Sequence, residues 1–203
     1  MKQSIKSTLI GGASVVAVAG TVLIPAAAFA ATSSANTTIN ASIASVISIS
    51  TSGSVTLNIT PTAGGSASSA SDTVSVSTNR ANGYFLQLAD ADATNTLVNG
   101  VNSISATSGS YAAPAAISSN SWGFRIDGSG TFGAGTTVAE TNQTTLTGTW
   151  AAVPVSGSPV TVKTTSSTAT NDQTTVWYGA KVDTSKADGT YSDTVTYTAT
   201  TNT

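Results

Sequence analysis

The chain has 203 residues, of which only 8% are charged, and its formal net charge at pH 7 is −2. It contains no Cys and no His, which excludes Ser-His-Asp and Cys-His nucleophiles, thiolate redox centres and the usual zinc sites. From residue 31 onward there are five cationic and nine acidic residues. So few cations fit poorly with nucleic acid, whose binding requires neutralised phosphates. We therefore expect neither an enzyme nor a nucleic-acid partner.

The first 30 residues have the pattern of a bacterial Sec-type export signal. Lys2 and Lys6 give a positive start, residues 9–24 are uncharged and mostly apolar, and Pro25 ends that run. The small-x-small triplet at residues 28–30 predicts cleavage before Ala31. An uncleaved anchor is the alternative, but the apolar run is shorter than the roughly 20 residues that a membrane span needs. We expect a signal peptide over residues 1–30 and one secreted or cell-surface domain over residues 31–203, with no membrane span in the mature chain.

Apolar residues alternate with Ser, Thr and Asn along most of the mature chain, in which 63 of the 173 residues are Ser or Thr. Apolar residues at every second position indicate half-buried strands, and β-branched Thr favours a strand whose outer face is exposed to solvent. The alternating sets are, in chain order, residues 40–50, Val55/Leu57/Ile59, Val74/Val76, Tyr84/Leu86/Leu88, Trp122/Phe124/Ile126, Val160/Val162, Val176/Tyr178/Ala180/Val182 and Tyr191/Val195/Tyr197/Ala199. This rhythm predicts an all-β sandwich or barrel of roughly nine or ten strands.

Turn signals separate these sets. Asn82 and Gly83 both tolerate positive φ, and their position between two alternating runs predicts a β-hairpin. Residues 63–71 are rich in Gly, Ser and Ala and predict a flexible loop. Residues 164–175 are almost wholly polar and predict a long surface connection or a bulged edge.

Carboxylates are the only common catalytic or metal-binding groups in the mature chain. Asp90 and Asp92 begin like a calcium loop, but the motif needs Gly at its sixth position and Glu at its twelfth, where this chain has Asn95 and Val101. We therefore predict no cofactor, and a looser calcium site at Asp90 and Asp92 stays open. A hydrolase using only carboxylates, with Asp127 and Glu140 in the lead, is the third functional hypothesis.

The three Trp residues are the candidates for ligand contact. Trp122 lies in phase with apolar Phe124 and Ile126, which predicts a core position. Trp177 precedes Tyr178, so the two face opposite sides of a strand, and Trp177 is expected to point outward. Trp150 is the other candidate for exposure. Exposed Trp150 and Trp177 would suit a carbohydrate-binding module, which is the second hypothesis.

The C-terminal run of residues 186–198, Lys-Ala-Asp-Gly-Thr-Tyr-Ser-Asp-Thr-Val-Thr-Tyr-Thr, resembles the closing strand of bacterial spore coat U-type domains and related pilin-like secreted subunits. The cysteine pair usual in those families is absent here. The resemblance implies a single immunoglobulin-like antiparallel β-sandwich and a structural role on the cell surface. The leading hypothesis is thus a secreted, non-enzymatic structural or adhesive protein, a pilin-like or coat subunit.

In pilin-like assembly, the mature N-terminus would be the donor segment that binds a neighbouring subunit. An extended segment can add to the sheet edge of a neighbouring subunit, with backbone hydrogen bonds for affinity and alternate side chains for specificity. Ile39, Ala41 and Ile43 alternate after a polar start and form the candidate donor strand. The alternative is that they begin the first strand of their own sheet. Expected partners are other copies of the chain, or other surface proteins and glycans.

Overall fold

The computed structural model of the chain describes residues 31–133 and 137–203. The predicted export signal, residues 1–30, lies outside the described residues. The chain divides into two units, residues 1–42 and Ile43–Thr203. In the first unit, the described residues 31–42 are exposed and have no regular secondary structure.

The second unit confirms the all-β prediction, because every regular element in the described residues is a strand. No helix in the described ranges is long and apolar enough to cross a membrane. The nine strands are β1 (Ile47–Ser50), β2 (Ser66–Thr78), β3 (Tyr84–Asp90), β4 (Leu97–Asn99), β5 (Asn102–Ala106), β6 (Ser121–Arg125), β7 (Val160–Thr164), β8 (Ala169–Val182) and β9 (Val195–Thr201).

The strands form two sheets. The larger has six strands in the order β1-β2-β8-β6-β5-β4, and the smaller has three in the order β7-β3-β9. All neighbours are antiparallel except β5 and β6. The longest ladder joins β2 to β8 from Ser66↔Val182 to Thr78↔Ala169 and carries a register shift near Val76.

One hydrophobic core contains side chains from both sheets. Val74 on β2 and Val176 on β8 are fully buried, as are Leu86 and Leu88 on β3. Trp122 on β6 belongs to the same cluster, which confirms its predicted core position. The two sheets therefore pack as layers around a shared interior, as the period-two pattern of apolar residues requires.

A polar bridge links the two sheets at one side of this core. The Asp172 carboxylate on β8 accepts a hydrogen bond from the Lys163 ammonium on β7 at 2.6 Å and another from the Tyr84 hydroxyl on β3 at 2.8 Å. Partial burial alone would raise the pKa of Asp172, but the bonds from Lys163 and Tyr84 outweigh it and hold that pKa below its usual value. Burial and the same carboxylate raise the pKa of Tyr84.

This bridge makes stability depend on acidity. A carboxylate whose folded-state pKa is depressed stabilises the fold above its unfolded pKa, near 3.9, and loses that contribution as the pH falls through the folded pKa. We expect Asp172→Asn to cost about 1 kcal/mol or less at neutral pH, because the pair is partly exposed. The difference in Tm from the unmodified protein should shrink as the pH falls toward about 2. A difference that stays constant over that range would contradict the bridge, and Asp188→Asn, an exposed Asp, is the control.

The predicted turn at Asn82 and Gly83 exists, but the predicted hairpin is wrong. The Gly83 amide donates to the Arg80 carbonyl at 3.0 Å, and Gly83 has φ of 77°. However, β2 pairs with β1 and β8, whereas β3 pairs with β7 and β9. The turn thus carries the chain from one sheet to the other, because the apolar faces of β2 and β3 meet across the core instead of side by side.

Two further predictions need correction, and one stated alternative is confirmed. Residues 66–71 are not a loop, since they begin β2, where Ser and Ala side chains are small enough to lie buried under a covering segment. Residues 169–175 belong to β8, pair with β2 alone among the described strands and contain a register shift, so they form the bulged edge and not the surface connection. Residues 55–59 keep their alternating burial but form no strand, because their backbone joins neither sheet.

Candidate functional site

The start of the described chain exposes large apolar side chains. The exposed fraction is 88% for Ile39 and 85% for Ile43, and Val46 is also exposed. In an extended chain Ile39, Ala41 and Ile43 lie on one face. None of these three residues is part of β1, which starts at Ile47. The predicted strand over residues 40–50 is thus confirmed only for its last four residues.

Two side chains fix the chain just before β1. Asn79 accepts a hydrogen bond from the Val46 amide at 2.9 Å and donates to the Ala44 carbonyl at 2.8 Å. The Thr78 hydroxyl donates to the Val46 carbonyl at 2.7 Å. Within this unit, therefore, hydrogen bonds hold the chain from Ala44 onward and leave the Ile43 side chain in solvent.

The β9 strand has an open backbone edge. In its ladder with β3, Asn202 donates to Gly83 at 2.9 Å and Ala91 donates to Thr194 at 2.9 Å. Hydrogen-bonded pairs alternate with non-bonded pairs in an antiparallel ladder, so the even-numbered β9 residues bond β3. The backbone groups of Val195, Tyr197, Ala199 and Thr201 point away from β3. In the part of the chain that the structure describes, they bond no other strand.

The other sheet edges differ from β9 in length or charge. Natural proteins protect edges by keeping them short or by placing charged residues or Pro on them. At the edges of the larger sheet, β1 has four residues and β4 has three. The β7 edge carries Lys163. The β9 edge has seven residues, Val-Thr-Tyr-Thr-Ala-Thr-Thr, without a charge or a Pro, and is therefore the least protected of the four.

Residues 52–60 follow β1, have no regular secondary structure and are tied to β2 by hydrogen bonds at Ser52 and Asn58. Ser52 donates to Asp72 on β2 through its amide at 2.9 Å and its hydroxyl at 2.7 Å. Burial raises the pKa of Tyr197 on β9, the hydrogen bond with the Tyr178 hydroxyl counteracts that rise, and the Asp72 carboxylate adds to it. Beyond Ser52 the segment is held by side-chain hydrogen bonds at Asn58 and Thr60 and pairs with no strand.

Trp150 is buried, so the prediction that its ring is exposed is wrong. Its exposed fraction is 0%, and its backbone pairs with Ala115 through bonds of 2.7 and 2.9 Å. Two glycines that are opposite each other leave the room: Gly123 on β6 admits the backbone of Ala151, and Gly179 on β8 admits the Trp150 ring. A Cβ on Gly179 would lie 2.9 Å from the Trp150 ring and 2.5 Å from Leu146.

The Trp150 ring covers the outer face of the larger sheet. Gly179 is in phase with Trp177 and out of phase with Val176 and Tyr178, whose side chains enter the core. A Gly inside a strand often marks the close approach of another group. Gly123 and Gly179 were thus the sequence signal that could have placed Trp150, and it was missed.

Trp177 faces outward, as its phase against Tyr178 predicted, and is half-buried. It lines an open cleft of about 710 Å³ together with Asp127, Ser129, Lys163 and Gln173. Asp127 is engaged by Arg125 at 2.6 Å and by the hydroxyl of Thr137 at 2.5 Å. Burial alone would raise the pKa of Asp127, but the bonds from Thr137 and Arg125 hold it below its usual value.

Glu140 accepts hydrogen bonds from the amide and hydroxyl of Thr147 at 2.9 and 2.8 Å. Asp127 and Glu140 therefore each hold a local loop. Asp90 and Asp92 lie at the end of β3, and the structure adds a third carboxylate to them, Asp193, which sequence reasoning did not connect with this pair. No motif could signal that contact, because Asp193 is about a hundred residues away in the chain.

Compared with known proteins, the chain matches no family model, no curated protein and no solved structure.

Proposed function

We propose that this chain is a secreted, non-enzymatic structural protein of the bacterial cell surface whose copies associate by strand addition. The donor is the segment with Ile39, Ala41 and Ile43, and the acceptor is the open edge of β9 in another copy. The observation that carries the proposal is the β9 edge, seven uncharged residues long with outward backbone groups that bond no other strand of the described chain.

The chemistry of the two segments supports this pairing. Strand addition needs a donor that is free to extend and an edge whose N–H and C=O groups are free. The donor face presents two Ile side chains to solvent, and removing apolar surface from water is favourable when a partner covers it. Neither segment carries a charge, so no repulsion opposes their approach. The export signal and the immunoglobulin-like form of the sandwich belong to the same proposal.

The test compares assembly of the exported protein with that of a double variant, Ile39→Asp with Ile43→Asp. We expect the unmodified protein to form filaments or regular oligomers in negative-stain images and in light scattering. The variant should stay monomeric, because two charges would be buried against the β9 edge. Val101→Asp with Val138→Asp is the matched control, since it also charges two exposed Val residues and should still assemble. A clean monomer of the unmodified protein at high concentration would contradict the proposal.

A carbohydrate-binding module is the second candidate, and Trp177 alone now supports it. Its half-buried ring lines a cleft beside polar groups of Ser129, Lys163 and Gln173. Aromatic rings bind the apolar faces of sugars while neighbouring polar groups bind hydroxyls. Trp150 no longer contributes, because its ring is buried.

A further inference from the structure

Three carboxylates converge where β3 ends and β9 begins. Asp90 is the last residue of β3, Asp92 follows in the next loop, and Asp193 lies two residues before β9. One oxygen of each carboxylate lies within 4.8 Å of an oxygen of each of the other two. The ladder between β3 and β9 positions them, since Asp90 is directly opposite Val195.

In each carboxylate, protein donors occupy one oxygen. Asp90 Oδ1 accepts from the Asp92 amide at 3.0 Å, and Asp193 Oδ1 accepts from the Thr194 amide at 2.7 Å. Asp92 Oδ1 accepts from the amide and hydroxyl of Thr94 at 2.6 and 2.8 Å. These bonds orient the three side chains and leave one oxygen of each for another partner.

Two of the remaining oxygens are buried without a donor. Asp90 has an exposed fraction of 1%, and its Oδ2 has no hydrogen-bond partner in the described residues. Asp193 Oδ2 is likewise buried and without a partner among them. A buried carboxylate oxygen without a donor costs free energy, so this pair of oxygens points to a missing positive group.

The described part of the chain supplies no cation here. Its two ion pairs are Arg125 with Asp127 and Lys163 with Asp172, and neither involves the cluster. Three carboxylates this close thus repel one another unless a cation or a proton joins them.

We propose that Asp90, Asp92 and Asp193 bind a calcium ion through one oxygen of each carboxylate. Calcium takes six to eight oxygen ligands in adaptable geometry, and the exposed Asp92 lets water complete the shell. Magnesium is smaller and requires a stricter octahedron. With three protein ligands we expect a dissociation constant in the range of about 0.1–1 mM, typical of extracellular sites. The bound ion would link the end of β3 to the start of β9. This calcium site is independent of the proposed strand addition between copies.

The test follows thermal unfolding of the full chain, expressed with its own export segment and purified after export. Relative to EDTA, about 5 mM calcium chloride should raise Tm by roughly 4 °C, because a ligand that binds only the folded state stabilises it. Magnesium chloride at the same concentration should raise Tm much less. An unmoved Tm with both salts overturns the site, and equal rises with both overturn the assignment to calcium.

Asp193→Asn distinguishes calcium binding at the cluster from general screening of the three negative charges by salt. The amide keeps the bond from Thr194 but removes one charge, so without calcium its Tm should be no lower than that of the unmodified protein. Its response to calcium should be lost, whereas the exposed Asp188→Asn should keep the full response. Asp92→Asn, on the surface, repeats the test without touching a buried group. A calcium response that survives both substitutions at full size overturns the proposal.

Discussion

We expect Trp150→Ala to lower the free energy of unfolding by about 3–5 kcal/mol, the cost of deleting a large buried aromatic side chain. The ring is fully buried and lies against Gly179. In a domain of this size each kcal/mol moves Tm by about 2–4 °C. Thermal unfolding of the two proteins should therefore differ by roughly 10 °C.

Trp177→Ala is the matched control, because its ring is half-exposed on the same face of the sheet. We expect it to lower Tm far less than Trp150→Ala. A polysaccharide pull-down with the same two variants then separates the functional candidates. Binding that disappears with Trp177→Ala while the fold survives would favour the carbohydrate-binding module. A Tm change within about 2 °C for Trp150→Ala would contradict the buried packing against Gly179.

The difference between Trp122 and Trp150 shows what sequence alone could predict. Trp122 lies in phase with Phe124, and a period of two is enough to place it in the core. Trp150 lies outside the named strands, in a segment whose backbone pairs with Ala115 and, at Ala151, with Phe124 of β6. Its ring lies against Gly179 of β8. That contact depends on the register of segments that are far apart in the chain, and register is a long-range property that local pattern does not contain.

The same limit explains the errors at Gly83 and Ser66. Local turn chemistry predicted the bend at Gly83 correctly, but which strands pair across it depends on distant partners. Ser66 begins a run of small residues that looks like a loop. It is a strand because β8 pairs along its whole length and the segment near Gln143 bonds Ala67 on the other side.

Two of the three carboxylates in the cluster, Asp90 and Asp92, were predicted from sequence as possible ligands, and the third, Asp193, was not. The spacing of Asp90 and Asp92 already suggested oxygen ligands in a loop, while the formal calcium motif failed at Asn95. Asp193 joins them only because β9 pairs with β3. The ligand set is thus assembled by the ladder between β3 and β9, with Asp193 just before β9 as the third acid.

The open edge of β9 is also a product of that ladder, and it allows a sharp test by proline substitution. Proline removes a backbone N–H and is tolerated in an edge strand where that N–H faces outward. The Ala199 amide faces away from β3, whereas the Thr198 amide faces β3 at Gln87. Ala199→Pro should therefore leave the fold intact and block strand addition.

We expect Ala199→Pro to raise the protein concentration needed for assembly at least about tenfold, since each lost 1.4 kcal/mol of association free energy corresponds to that factor. Light scattering across a concentration series measures it, with circular dichroism as the check on folding. Thr198→Pro is the neighbouring control. It breaks a bond inside the sheet and strands a carbonyl of Gln87, so it should cost about 1–3 kcal/mol of stability. If Ala199→Pro assembles as readily as the unmodified protein, the acceptor is not the β9 edge. One of the other edge strands, β1, β4 or β7, then accepts the donor despite its short length or its charge.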